Sequence, residues 1–158
     1  MPDTVPDWPT RLRELTAFID TLDLTQPAAC EAALRARFPS TEEPVRSIVA
    51  DAIAGLEAGT LCNRGEPPVT FSRLVKPEQS ELGYSVDAVL IDEAAGPAHV
   101  HPNGEVTLCI PRGGTPTFDG AERDGWCVMR PGSGHVPTVG GGAMLFVYWW
   151  PEGAVEWR

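Results

Sequence analysis

The chain is poor in cations. Its 158 residues carry 12 Lys and Arg against 22 Asp and Glu, a net charge of −10. No basic stripe of the kind that phosphate backbones require is present, and there is no basic recognition helix, so nucleic acid is excluded as a partner class. Long apolar runs are missing as well. The longest, Ala143–Trp150, is far too short to span a bilayer, so no membrane partner is expected. The opening stretch MPDTVPDWPT lacks the basic and apolar regions of a signal peptide, which makes cytoplasmic residence the expectation. The four cysteines, Cys30, Cys62, Cys109 and Cys127, form no CxxC pair, so neither a zinc ribbon nor a dense disulfide framework is suggested. They read as free, mostly buried thiols. Histidine is the scarcest of the metal-ligating residues, with three in the whole chain.

What is present suffices for one domain with a real core: 42% of the residues are apolar and 22% charged. The first sixty residues are helical in pattern. From Thr10, the residues Leu12, Leu15, Ile19 and Leu22 recur at three- and four-residue steps. A second helix is expected over Pro27–Phe38. A third is expected to follow a capping box of Ser40 and Glu43, with Val45, Ile48, Val49, Ile53 and Leu56 on one face and a stop near Gly59. After CNRGEPP the texture changes to short apolar or alternating runs punctuated by glycine and proline, with candidate strands at 70–76, 84–91, 98–101, 105–110, 115–118, 126–130, 135–138, 143–150 and 155–157. Many short strands with regular turn signals predict a mainly β fold, an antiparallel barrel or jelly roll, behind about three helices. The expected division is a helical segment over 1–62 packed on a β-barrel domain over 63–158. The clusters RGGTP and VGGGAM lead into no helix and so make no phosphate cradle; they read as hairpin turns. A homodimer is the expected assembly, two-fold dimers being the commonest.

The histidines are placed for chelation. His99 and His101 are two residues apart, so on a strand both imidazoles leave the same face. PNG then turns the chain, and Glu105 opens the next strand, sharing a face with Thr107 and Cys109. His135, in RPGSGHVP, stands at another turn-to-strand junction, from which a barrel can bring it beside the first pair. Three imidazoles with a carboxylate would leave one or two positions of a divalent transition ion open, as catalytic rather than structural sites do. Iron, zinc, manganese and nickel all accept such ligands. Tyr148, Trp149 and Trp150 alternate faces on a late strand, so part of this aromatic surface is available to line a flat pocket.

These residues resemble a cupin. Gly96, His99, His101, Glu105 and Gly113 follow the first cupin motif, and Gly125, Gly132 and His135 the second, which departs from the usual pattern at Arg130 in place of proline and at Val139 in place of asparagine. The stretches AGPAHVHPNGEVTLC, PGSGHVPTV and LFVYWWPEGAVEW, behind a helical segment and NRGEP, resemble the 4-hydroxylaminobenzoate lyases of bacterial nitroaromatic degradation. That resemblance implies an enzyme that converts 4-hydroxylaminobenzoate and water to protocatechuate and ammonia, with a metal held by His99, His101 and His135. Glu105 would be the fourth ligand, its place in the cupin pattern, or a general acid/base. The benzoate carboxylate calls for a cation, for which Arg73 and Arg130 are the candidates, with Tyr148 against the small aromatic substrate. Two other activities fit the same ligands, because fold and ligand set do not fix the reaction: an Fe(II) cupin dioxygenase acting on a catechol or aminophenol, and a non-enzymatic small-molecule-binding cupin.

Overall fold

The structure, a computed structural model, describes residues 5–158. Four helices come first: α1 (Trp8–Arg11), α2 (Arg13–Ile19), α3 (Pro27–Arg37) and α4 (Val45–Ala58). Ten strands follow: β1 (Arg64–Glu66), β2 (Val69–Val75), β3 (Ser85–Asp92), β4 (His99–His101), β5 (Glu105–Phe118), β6 (Ala121–Glu122), β7 (Gly125–Met129), β8 (Ser133–His135), β9 (Val139–Trp150) and β10 (Glu156–Trp157). The larger sheet runs β1-β2-β3-β9-β5-β6, with β7 also on β5, and the smaller runs β10-β4-β8. All named pairings are antiparallel. This is the expected mainly β jelly roll of antiparallel strands, built as two sheets rather than as one closed barrel.

The large sheet is buried on both faces, which explains why β5 and β9 contain near-continuous apolar runs rather than a polar alternation. On one face, Val106, Leu108, Ile110, Leu145, Val147 and Trp149 share a core with Leu12, Leu15, Ile19, Leu34 and Ile48 of the helices. Trp149 donates its indole N–H to Thr16 Oγ1 at 3.0 Å, and Trp126 donates to the Phe38 carbonyl at 2.8 Å, so the buried indoles are satisfied by the helical layer. Helices of four and seven residues, such as α1 and α2, are too short to persist alone. They are held by side chains such as Leu15 and Ile19 of α2, both fully buried, each contributing roughly 1.5–3 kcal/mol. The opposite face of the sheet carries Cys109, Cys127, Met144, Phe146 and Ile91. It looks toward the small sheet.

Several sequence expectations are corrected. The first helix is broken at Leu12 into two short ones. The Ser40 and Glu43 capping box does not form: the helix expected there is α4, which starts at Val45, directly after Pro44, and has no side-chain cap. A residue before proline is pushed out of the helical region, so Glu43 cannot open the helix, and its carboxylate instead pairs with Arg46 at 3.2 Å. The strands expected at 105–110 and 115–118 are one strand. The two glycine clusters are not hairpin turns but face each other within the β5 and β9 ladder, Gly113 opposite Ala143 and Gly114 opposite Gly142, at register shifts. A Cβ on Gly142 would collide with the Gly113 carbonyl, and its φ of +153° suits glycine alone. Strand β1 and the two-residue β6 have too little apolar patterning to be read from sequence.

Candidate metal centre

The pairing of β4 with β8 sets His99 directly opposite His135 and Val100 opposite Gly134, so two segments thirty-odd residues apart are locked in register. Gly134 is required there, because a Cβ would lie 2.9 Å from Val100 and 3.1 Å from the His99 carbonyl. The result is a compact imidazole cluster. Ring centroids are 4.7 Å apart for His99 and His101, 4.8 Å for His99 and His135, and 5.0 Å for His101 and His135. One ligand nitrogen from each lies within 4.8 Å of the others.

The hydrogen bonds around the cluster assign the tautomers. His99 Nδ1 is 2.9 Å from the Pro97 carbonyl, which can only accept, so Nδ1 carries the proton. His135 Nδ1 is 2.6 Å from Asp119 Oδ2, a carboxylate, with the same consequence. His101 Nδ1 is 3.3 Å from Ser133 Oγ; that hydroxyl gives its own proton to the Arg130 carbonyl at 2.6 Å and therefore accepts from the ring. All three imidazoles thus have Nδ1–H outward and the Nε2 lone pair left over. Among the described residues, Nε2 of His101 and of His135 is buried with no hydrogen-bond partner. Burial lowers the His101 pKa below its usual value despite nearby Glu105, which favours the neutral ring that a metal needs. Buried lone pairs that converge without a donor, each on a ring fixed from behind, fit a divalent transition ion.

Glu105 stands beside this cluster, its Oε1 3.4 Å from His101 Nε2. Both of its oxygens are engaged: Trp150 donates to Oε1 at 2.6 Å and Thr107 to Oε2 at 2.7 Å. The strand parity read from the sequence thus does put Glu105 and Thr107 on one face. Cys109, next on that face, is buried, and desolvation pushes its thiol far up, so it offers no thiolate.

A cavity of about 830 Å³ opens from the histidines across the inner face of the large sheet. His99, His135, Glu105, Phe118, Phe146 and Trp150 line one part of it, and Arg73, Asp87 and Tyr148 another. Arg73 grips Asp87 with Nε to Oδ1 at 2.7 Å and a terminal nitrogen to Oδ2 at 3.1 Å, and the Tyr148 hydroxyl donates to Oδ2 at 3.2 Å. Burial, with Asp87 adding to it, raises the Tyr148 pKa well above its usual value, so the phenol keeps its proton. Arg130 stands apart: it is exposed and not among the residues lining the cavity, and its carbonyl alone takes part, through Ser133.

Sequence reasoning passed over Asp119, Ser133 and Asp87. Asp119–Gly120 is the turn dipeptide joining β5 to β6, and Asp-Gly between strands is a hairpin signal; what it could not reveal is that the carboxylate would turn back onto His135. For Asp87 the signal was a charge inside a mostly apolar strand rather than at its end.

A family model described as PnbB, 4-hydroxylaminobenzoate lyase, matches residues 10–157. The chain is 27% identical over 151 residues to a 4-hydroxylaminobenzoate lyase of Pseudomonas putida, the match covering 85% of this chain and 86% of that protein. It is 30% identical over 97 residues to a 4-hydroxylaminobenzoate lyase of Nocardioides sp. (strain LMS-CY), there covering 58% of this chain and only 57% of the relative. Among solved structures, a chain of the complex of Rhodobacter sphaeroides SigE with the anti-sigma ChrR aligns with a TM-score of 0.50 at 18% identity, over 75% of this chain and 64% of that one; at this identity the likeness bears on fold alone. The family match takes in the helical layer, both sheets and every residue of the histidine cluster, and the chain belongs to the 4-hydroxylaminobenzoate lyase family.

Proposed function

We propose that the protein is a metal-dependent lyase that converts 4-hydroxylaminobenzoate and water to protocatechuate and ammonia. The observation that carries this reading is the set of three Nε2 lone pairs, each fixed by a hydrogen bond at Nδ1, in a cluster of which His99 and His135 line an aromatic-walled cavity. The family match supplies the substrate class.

The reaction balances without an external oxidant. The N–O bond takes up the electron pair that the ring gives up and breaks, its oxygen leaving as water, while the oxygen of one water bonds to the ring carbon beside the nitrogen-bearing one; a second water then replaces nitrogen at the nitrogen-bearing carbon and releases ammonia, a net uptake of one water. His99, His101 and His135 would hold the metal, which as a Lewis acid polarises an oxygen or lowers the pKa of a bound water. The chain's own groups supply the rest. Phe118, Phe146 and Trp150 offer flat apolar walls for the ring and exclude bulk water. Glu105, fixed by Trp150 and Thr107, is placed to take a proton at Oε1 from the attacking water and return it to the departing nitrogen, the general acid/base role. Arg73 serves the carboxylate.

The test is an anaerobic assay of 4-hydroxylaminobenzoate with metal-loaded and metal-stripped protein, together with His99→Ala and His135→Ala. Protocatechuate and ammonia in equal amounts from the loaded protein, and loss of both metal and turnover in each variant, are the expected results. Equal turnover by the stripped protein would sink the metal mechanism. A strict need for oxygen would transfer the protein to the ring-opening dioxygenases.

A further inference from the structure

The cavity's charges run against those of the chain. The protein is acidic overall, at −10, yet three cations line this cavity, Arg64, Arg73 and Lys76, against two carboxylates, Asp87 and Glu105. A concave surface of this sign draws in anions, and its low-dielectric walls sharpen the effect.

The polar side chains are also ordered. Thr107, Tyr148, Asp87 and Arg73 come from four neighbouring strands, β5, β9, β3 and β2, and are direct cross-strand partners in that sequence. Strands lie about 4.8 Å apart, so this row carries the sheet's polar groups roughly 14 Å from the Glu105 strand to Arg73. On one side of this row the next residues on the same face are apolar, Val89 beyond Asp87 and Phe146 beyond Tyr148. Asp87 sits at the middle, 8% exposed, and accepts three hydrogen bonds, two from Arg73 and one from Tyr148. A guanidinium has five N–H donors, so the pair with Asp87 leaves three of them free on a group that lines the cavity.

We propose that Asp87 is a positioning residue: it aims the free edge of Arg73 so that the guanidinium takes the carboxylate of an aryl substrate whose opposite end lies at the histidines. This rests on the lyase reading above and deepens it, because a cation fixed on β2, across the sheet from the Glu105 strand, selects benzoates whose substituent lies opposite the carboxylate over 3-substituted and uncharged aryl compounds. Tyr148, its proton committed to Asp87, completes the row.

The sign of one substitution separates positioning from simple charge. Asp87→Asn removes a negative charge from the cavity, which by Coulomb's law alone would tighten anion binding. If Asp87 instead holds Arg73 in place, the same change weakens it. The experiment measures calorimetric affinities of metal-loaded wild type, Asp87→Asn, Arg73→Gln and Tyr148→Phe for 4-aminobenzoate, 3-aminobenzoate and aniline. Wild type is expected to prefer 4-aminobenzoate over both others by on the order of tenfold or more, the scale of a charge-assisted hydrogen-bond pair. Arg73→Gln should abolish the preference, and Asp87→Asn should lose most of it, while affinity for aniline stays as in wild type. Tighter or unchanged 4-aminobenzoate binding in Asp87→Asn overturns the proposal, as does an equal fall for aniline, which would mark general damage to the cavity. Turnover of 4-hydroxylaminobenzoate by wild type is read in parallel: its absence alongside the expected affinities would remove the lyase reading and leave the anion subsite standing.

Discussion

Asp119→Asn tests the tautomer argument at its most exposed point. Asp119 lies at the β5–β6 turn with φ of +50°, a left-handed conformation that asparagine tolerates as well as aspartate, so the backbone has no reason to move. Its two oxygens have separate tasks: Oδ2 accepts from His135 Nδ1 at 2.6 Å and Oδ1 accepts from the Thr138 amide at 2.9 Å. An amide has one oxygen, so the variant satisfies one donor and turns an NH2 toward the other. It also removes the charge that makes His135 a better donor of its Nε2 lone pair. Losing such a partner behind a ligand histidine costs about 10- to 100-fold in metal affinity, or about 1.4–2.8 kcal/mol. The fold should suffer less: one weakened hydrogen bond costs about 1 kcal/mol, roughly 2–4 °C in melting temperature for a chain of this size. Competition against a chelator gives the affinity, and thermal melts of the metal-free proteins give the control. Wild-type metal affinity in Asp119→Asn, with His135→Ala losing the metal, would refute the claim that Asp119 sets the His135 ring.

Other outcomes follow from the same contacts. Glu105→Gln keeps the acceptor for Trp150 or Thr107 but cannot move a proton; turnover should fall by on the order of 10²–10⁴ with metal content unchanged, and parallel loss of metal would make Glu105 a ligand instead. Gly142→Ala drives a methyl into the Gly113 carbonyl at a positive φ and should destabilise the fold by about 2–4 kcal/mol in denaturant titrations, with wild-type stability refuting the close β5–β9 approach. Desolvation raises the Cys62 thiol from 9.0 to about 12 and Cys127 to about 11. Both thiols are protonated in either state below pH 9, where stability should show no dependence on them. Above it the unfolded chain ionises first, so stability should fall by about 1.4 kcal/mol per pH unit per thiol until the folded pKa is reached. Denaturation under reductant in Cys62→Ala should show a shallower alkaline decline.

Much of the site was legible because its chemistry rests on short-range rules. The i, i+2 spacing of His99 and His101 and the shared parity of Glu105 and Thr107 follow from strand geometry, and the structure keeps both. The alternation of Tyr148, Trp149 and Trp150 likewise sends Trp149 to the helices and the other two to the cavity. Less was legible where partners are distant. Nothing local to FDG says that Asp119 meets His135 sixteen residues on, or that Asp87 in β3 will be shared by Arg73 and Tyr148. The glycine clusters misled for a related reason: glycine serves turns and close strand approach equally well, and only the register of β5 on β9 distinguishes them. Pro44 outweighed the Ser40–Glu43 cap because a steric veto on the residue before proline is stronger than a capping preference.

The two-sided burial of the large sheet has an evolutionary corollary. On β5 and β9 each residue answers to a different neighbour from the one before it: Leu145, Val147 and Trp149 to the helices, Phe146, Tyr148 and Trp150 to the ligand space. A substitution at an even position of β9 can reshape what the cavity accepts while the helical layer keeps its grip on the odd ones. Chemistry and scaffold are thereby written on alternate letters of one strand, which leaves a family built this way free to change substrates without first having to solve its folding again.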